Sequence, residues 1–220
     1  MTKQFFYRIL TSIFLFFAVY LMFIDNIFLI LFLSIIFIIS YYEFYKLIIL
    51  IKMNLKLIYF NFIFYNILFS LYLSFFTIII YNSIVHESND KIFILFILFI
   101  CILTDVGGIF FGKLIGGKKL TKISPNKTIA GSIGGFVLSF LCLLFFLAFI
   151  SNYSLFNLLI LALATSFFSQ IGDLFVSFLK RKAKVKDTGK ILPGHGGMLD
   201  RIDGILLGLP LGIVIFNLLN

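Results

Sequence analysis

SFLKRKAKVKDTGKILPGHGGMLDRID, residues 177–203, carries ten of the chain's charges and one of its two histidines between two apolar runs. A charge at the middle of a bilayer costs roughly 2.5–3.5 kcal/mol even on the lenient insertion scale, so membrane proteins shed charge unless function demands it. Carboxylates, amines and a Pro-Gly-His-Gly-Gly turn stand here where a connector between spans would be short and bland. The composition points to a phosphate-handling site at a membrane face.

Outward from this stretch the chain is apolar. Residues of hydrophobic type make up 62% of the 220, and the mean hydropathy is +1.16, which excludes an ordinary soluble domain. A helix rising ~1.5 Å per residue needs about 20 apolar residues to cross ~30 Å of hydrocarbon. Seven runs meet that length: roughly 5–24, 27–45, 57–81, 91–112, 128–150, 155–176 and 202–219. The third is long enough to break near Asn61 or Asn66, which would make eight. No run alternates with the period of two that a membrane β-barrel requires. The expected fold is therefore all-α, a polytopic transmembrane helical bundle of about seven spans. It is read as one integral membrane domain over 1–220, with no internal repeat.

Lysines and arginines set the orientation. With seven spans, seventeen of the eighteen fall on one side, in the N-terminus, around 46–56, and in the 113–127 and 177–201 loops; Lys91 falls opposite. The positive-inside rule then predicts a cytoplasmic N-terminus and two cytoplasmic basic loops. The net charge of +9 reads as a topology signal with some attraction to anionic lipid, and not as a nucleic-acid surface. Cys101 and Cys142 lie inside apolar runs, so neither a disulfide nor a thiol metal site is expected. The N-terminus has no small-residue cleavage site and is expected to be a retained first span.

Four carboxylates stand out. Asp105 and Asp173 lie near the cytoplasmic ends of the fourth and sixth spans, each ahead of a basic loop. Asp200 and Asp203, three apart, share one face at the start of the seventh, where negative charge suits the helix dipole. Clustered carboxylates repel unless a cation or protons compensate, and ligands that are all oxygen suit Mg²⁺. The plain alternative for any one of them is an N-cap or an ion pair with a neighbouring lysine. Gly194, Gly196 and Gly197 lead into a helix N-terminus, where exposed backbone N–H groups would bind phosphate. Six basic residues between Lys180 and Lys190 precede them; lysines alone would fit a solvated positive-inside loop. Gly112, Lys113, Gly116, Gly117, Ser124, Lys127, Thr128 and Gly131 repeat the theme in the other loop, where helix packing is the competing explanation. His195 is a ligand, a phosphate donor or a turn residue. His86, beside Glu87, reads as solvated, and Glu43, among Tyr41, Tyr42, Phe44 and Tyr45, as an interfacial residue with no assigned role.

The pattern S-x-x-K-R-x-x-x-x-K-D-x-G-x-x-L-P-x-H-G-G-x-x-D-R-x-D over 177–203 resembles the signature of phosphatidate cytidylyltransferases, the CDP-diacylglycerol synthases. Weaker motifs agree: Asp105 with Gly112-Lys113, Ser124-Pro125 with Lys127-Thr128 and Gly131, and Gly172-Asp173. The resemblance covers about 100–207, so 101–220 would carry the catalytic helices and loops and 1–100 are N-terminal helices of weak resemblance. Val106 and Ile109 stand where the family more often has a hydroxyl residue and a tyrosine, and Ala130 where it has Glu or Gln.

The resemblance implies an enzyme that makes CDP-diacylglycerol and pyrophosphate from CTP and phosphatidic acid with Mg²⁺. It would sit in a bacterial-type inner membrane with its active site facing the cytoplasm; a second, monovalent cation and a homodimer are left open. It also implies roles. Asp173 and Asp200 would hold the metal, supported by Asp203 and Asp105. Lys180, Arg181, Lys186, Arg201 and the Ser124–Thr128 loop around Lys127 would hold phosphates. Asp187, His195 and the glycines Gly194, Gly196 and Gly197 would shape the nucleotide pocket. The competing enzyme is a membrane nucleotidyl- or phosphotransferase acting on a polyprenol or ether lipid. A cation-coupled transporter is the alternative from another class, but it would have no use for the Pro193–Gly197 turn.

Overall fold

Each apolar run forms one helix. The structure, a computed structural model, describes residues 3–55, 59–85, 91–121, 124–150, 153–194 and 196–219. Its helices are α1 (Lys3–Ile24), α2 (Asn26–Leu55), α3 (Tyr59–Val85), α4 (Lys91–Ile115), α5 (Ile129–Phe146), α6 (Leu155–Ala183) and α7 (Leu199–Leu219). Helices α2 to α7 are long and apolar enough to cross a membrane; α1 contributes a shorter apolar stretch, Ile9–Ile24. The described residues contain no strand, only isolated bridges at Lys119–Thr128 and Leu192–Gly196. The chain is thus an all-α, polytopic membrane protein, as the runs predict.

Helices α2 and α6 outlast their apolar runs furthest. α2 continues to Leu55 through Lys46 and Lys52, whose ammonium groups lie over the rings of Tyr42 and Tyr59 at 4.3 and 4.6 Å. α6 continues to Ala183 with Lys180, Arg181 and Lys182 in its last turn, so these three residues are helical and not part of the expected 177–201 loop. Cations at a helix C-terminus suit its dipole, which favours continuing the helix past the point where apolar character ends. The break considered in α3 does not occur. Asn66 donates from its side-chain amide to Phe62 O at 2.8 Å, one turn back in the unbroken helix.

The chain divides into two units that interleave in sequence, 1–85 with 179–202 and 86–178 with 203–220. The first holds α1, α2 and α3 with the end of α6, the following loop and the first turn of α7. Leu29, Leu33, Leu47, Leu73, Phe76 and Ile80 form its core, and Phe44 stacks on Phe69 at 3.8 Å between ring centres. Ile27, Ile38, Phe60 and Leu71 point outward, as side chains facing lipid do.

The second unit packs its helices backbone to backbone. Gly107, Gly108 and Gly112 of α4 face Gly131, Gly134 and Gly135 of α5. Small residues allow such close approach in a membrane, where lipid removes the hydrophobic drive for helices to associate. α7 presents Gly204, Gly208 and Gly212, one per turn, to Ser169, Cys101, Ile97 and Thr165. Gly107→Ala is expected to lower stability by about 2 kcal/mol, because its Cβ would press on the Gly134 carbonyl with no flexible group to yield. The adjacent Gly108→Ala meets only an ordinary contact at 3.9 Å and should change stability by less than ~0.5 kcal/mol. Thermal melts of the two variants in detergent test this.

Candidate active site

In the second unit the site begins with the turn after α4. Leu120 N–H donates to Lys127 O at 2.8 Å, and Ile129 N–H to Lys118 O at 3.0 Å, so Lys118–Leu120 pairs with Lys127–Ile129. Ser124 is buried and its carbonyl accepts from Lys127 N–H at 3.1 Å. Thr128 caps α5, its hydroxyl accepting from Gly131 N–H at 3.0 Å. These bonds place Lys127 against α6, where its ammonium pairs with Asp173 Oδ2. The other oxygen, Oδ1, accepts from the Ser177 hydroxyl at 3.4 Å. Both members of the ion pair are about a quarter exposed.

In the first unit the site gathers around Asp200. Its Oδ1 accepts from Lys180 Nζ at 2.7 Å, and the two side chains are only 15% and 4% exposed. Its Oδ2 accepts from Thr188 N–H at 2.8 Å, Thr188 Oγ1 at 3.0 Å and Gly197 N–H at 3.1 Å. Leu192 and Gly196 exchange backbone bonds at 2.9 and 3.1 Å, closing a tight turn. Gly194 and Gly196 have φ of +79° and +87°, a conformation glycine adopts without a Cβ clash. Asp187 lies beside Gly196 and, like Arg181, Lys186 and Arg201, is exposed.

Glu43 reaches this cluster from α2. Fully buried, it accepts from Met198 N–H at 3.0 Å and Leu199 N–H at 2.9 Å, and it shares with Asp200 the single hydrogen of the Thr188 hydroxyl, whose oxygen is 2.8 Å away. The phosphate site expected at the start of α7 is therefore already filled: Gly197, Met198 and Leu199 give their N–H groups to the protein's own carboxylates. Helix N-termini favour any anion, and here two side chains supply it. No role for Glu43 was visible in the local sequence because its partners lie up to 156 residues away. A lone carboxylate among aromatics was the only local signal.

The remaining predicted residues fall as follows. Asp105 is exposed on α4, and Asp203 on α7 accepts from the N–H of Gly204 at 2.8 Å. His195 lies outside the described residues, as do His86 and Glu87. Among the described residues no three of His, Cys, Asp and Glu gather as a protein-only metal site would need. Mg²⁺, however, takes one or two carboxylates and fills its other positions with phosphates and water. Asp173 fits that demand, being partly exposed with a single lysine as counter-charge. Asp200 fits it less well, since an ion there would displace the Lys180 ammonium from oxygens that already accept four bonds.

The chain matches the model of the cytidylyltransferase family over residues 2–219. It is similar to the phosphatidate cytidylyltransferase of Staphylococcus saprophyticus, 46% identical over 127 residues, which is 57% of this chain and 49% of that protein. It is similar also to the phosphatidate cytidylyltransferases of Staphylococcus haemolyticus, 46% identical over 129 residues, and Staphylococcus aureus, 49% identical over 127. Both matches again cover 57% of this chain and 49% of the relative. The chain thus spans about half the length of the curated relatives it matches.

Proposed function

Because the chain belongs to the cytidylyltransferase family, we propose that it transfers CMP from CTP to phosphatidic acid, giving CDP-diacylglycerol and pyrophosphate for phospholipid biosynthesis. The observation that carries this is the Lys180–Asp200 cluster built from the 177–203 pattern, beside relatives named for that reaction. A phosphatidate oxygen attacks the α-phosphorus of CTP; the new P–O bond forms as the bond to the β-phosphate bridge breaks, and pyrophosphate leaves. The lipid phosphomonoester is largely dianionic near neutral pH, with a second pKa of about 6, so no strong general base is needed. The task is to bring two anionic substrates together and stabilise the leaving group.

Lys180 suits that task. Asp200 fixes its ammonium in place, and Arg181, Lys186 and Arg201 are exposed on the same unit to bind phosphate oxygens. Lys127, aligned by its turn, does the same in the other unit. Asp173 would hold Mg²⁺, whose charge would neutralise the departing pyrophosphate. Purified protein in detergent, given labelled CTP and phosphatidate, tests the reading: a lipid-phase nucleotide is expected with Mg²⁺ and none in excess EDTA. A product formed with ATP but not CTP would point to a kinase instead.

The basic split favours a cytoplasmic active site in a bacterial-type plasma membrane. In a cysteine-free background, Asn26→Cys, exposed at the start of α2, should react with an impermeant maleimide on intact cells. Lys190→Cys, exposed in the α6–α7 loop, should react only after permeabilisation. Labelling of Lys190→Cys from outside would reverse the orientation.

A further inference from the structure

We infer that Glu43 is a positioning residue for nucleotide binding, holding the 187–199 loop and, through Thr188, the Lys180–Asp200 pair; the inference rests on the cytidylyltransferase reading. Glu43 is 1% exposed and, among the described residues, no basic side chain pairs with it. A carboxylate that deep is costly to bury unless its oxygens are fully bonded. Its bonds come from both ends of the loop: Thr188 Oγ1 at 2.8 Å, Met198 N–H at 3.0 Å and Leu199 N–H at 2.9 Å.

Two glycines make room for it. A Cβ on Gly189 or on Gly197 would land on the Glu43 carboxylate, so the loop backbone touches α2 at both ends of the turn. Thr188 Oγ1 lies 2.8 Å from Glu43 Oε2 and 3.0 Å from Asp200 Oδ2, and Asp200 Oδ1 holds Lys180. A continuous chain of polar contacts thus runs from α2 to the lysine that would meet phosphate. Glu43 also occupies the α7 N–H groups that would otherwise attract an anion, which leaves incoming phosphates to the basic side chains.

Glu43→Gln keeps the shape but turns an amide N–H toward groups that are themselves donors. Two readouts in detergent then apply. Hydrogen exchange of the Met198 and Leu199 amides should accelerate at least about tenfold on losing a charged acceptor. KM for CTP should rise about tenfold while kcat changes less than about threefold, the signature of lost binding geometry rather than lost chemistry. Leu73→Ala, a buried lesion in α3 of the same unit, should lower the melting temperature and leave KM for CTP unchanged. Should Glu43→Gln not fold, Thr188→Val removes the hydroxyl between the two carboxylates and should raise KM in the same direction. Unchanged exchange at 198–199, or faster exchange with an unaltered KM, would overturn the inference. A wild-type protein that yields no lipid product would instead overturn the cytidylyltransferase reading, and the nucleotide role with it; the exchange measurement would still report whether Glu43 holds the loop.

Discussion

Asp200→Asn is expected to lose at least about a hundredfold in turnover and about 3 kcal/mol in stability together. Its carboxylate is almost wholly buried and accepts four bonds, one from Lys180 Nζ and three from Thr188 and Gly197. Asparagine has one carbonyl oxygen. Turned one way, its NH₂ faces the Lys180 ammonium; turned the other, it faces three donors. In either pose a lysine only 15% exposed is left without its counter-charge, and removing one partner of a buried pair typically costs about 3–5 kcal/mol. Lys180→Met combined with Asp200→Asn removes the stranded charge, so it should recover much of the stability and none of the activity. Thermal melts and CTP-dependent lipid labelling, run on the same preparations, read both quantities. An Asp200→Asn protein with wild-type melting and turnover would take Asp200 out of the site.

Asp173→Asn is expected to behave differently: at least about a hundredfold loss of turnover with a stability change of less than ~1 kcal/mol. The Lys127–Asp173 pair is about a quarter exposed on each side, and such pairs contribute little to folding. What the substitution removes is the carboxylate proposed to hold Mg²⁺. Lys127→Met with Asp173→Asn should be little worse than Asp173→Asn alone, because groups that act as a unit are not additive. Equal losses of stability in Asp173→Asn and Asp200→Asn would contradict the distinction drawn between the two carboxylates.

Much of the fold was legible because a membrane span has a length requirement that the sequence either meets or does not. The seven runs became seven helices. The C-terminal ends of α2 and α6 were not legible: hydropathy falls at Lys46 and Lys180, yet lysine, arginine and tyrosine remain compatible with a helix whose C-terminus favours cations. The 177–203 pattern marked Asp200, Lys180 and the glycine turn, and the structure brings those together. It did not reveal what fills the α7 N-terminus, because hydrogen-bond partners cannot be read from local composition. Glu43 meets Thr188 from 145 residues away, and nothing in YYEFY distinguishes a buried carboxylate from an interfacial one. Asp173 was marked by its place at the end of an apolar run. Its partner Lys127 followed only from a turn whose backbone bonds are set in three dimensions.

The position of a radioactive phosphorus tests the central claim most directly. Purified protein with phosphatidate and Mg²⁺ is given CTP labelled at either the α- or the γ-phosphate, and the lipid phase is counted. Nucleotidyl transfer predicts that the α label enters the lipid while the γ label appears in water as pyrophosphate, with one pyrophosphate released per lipid labelled. A γ label in the lipid, or an α label that stays in water while CTP is consumed, would contradict it.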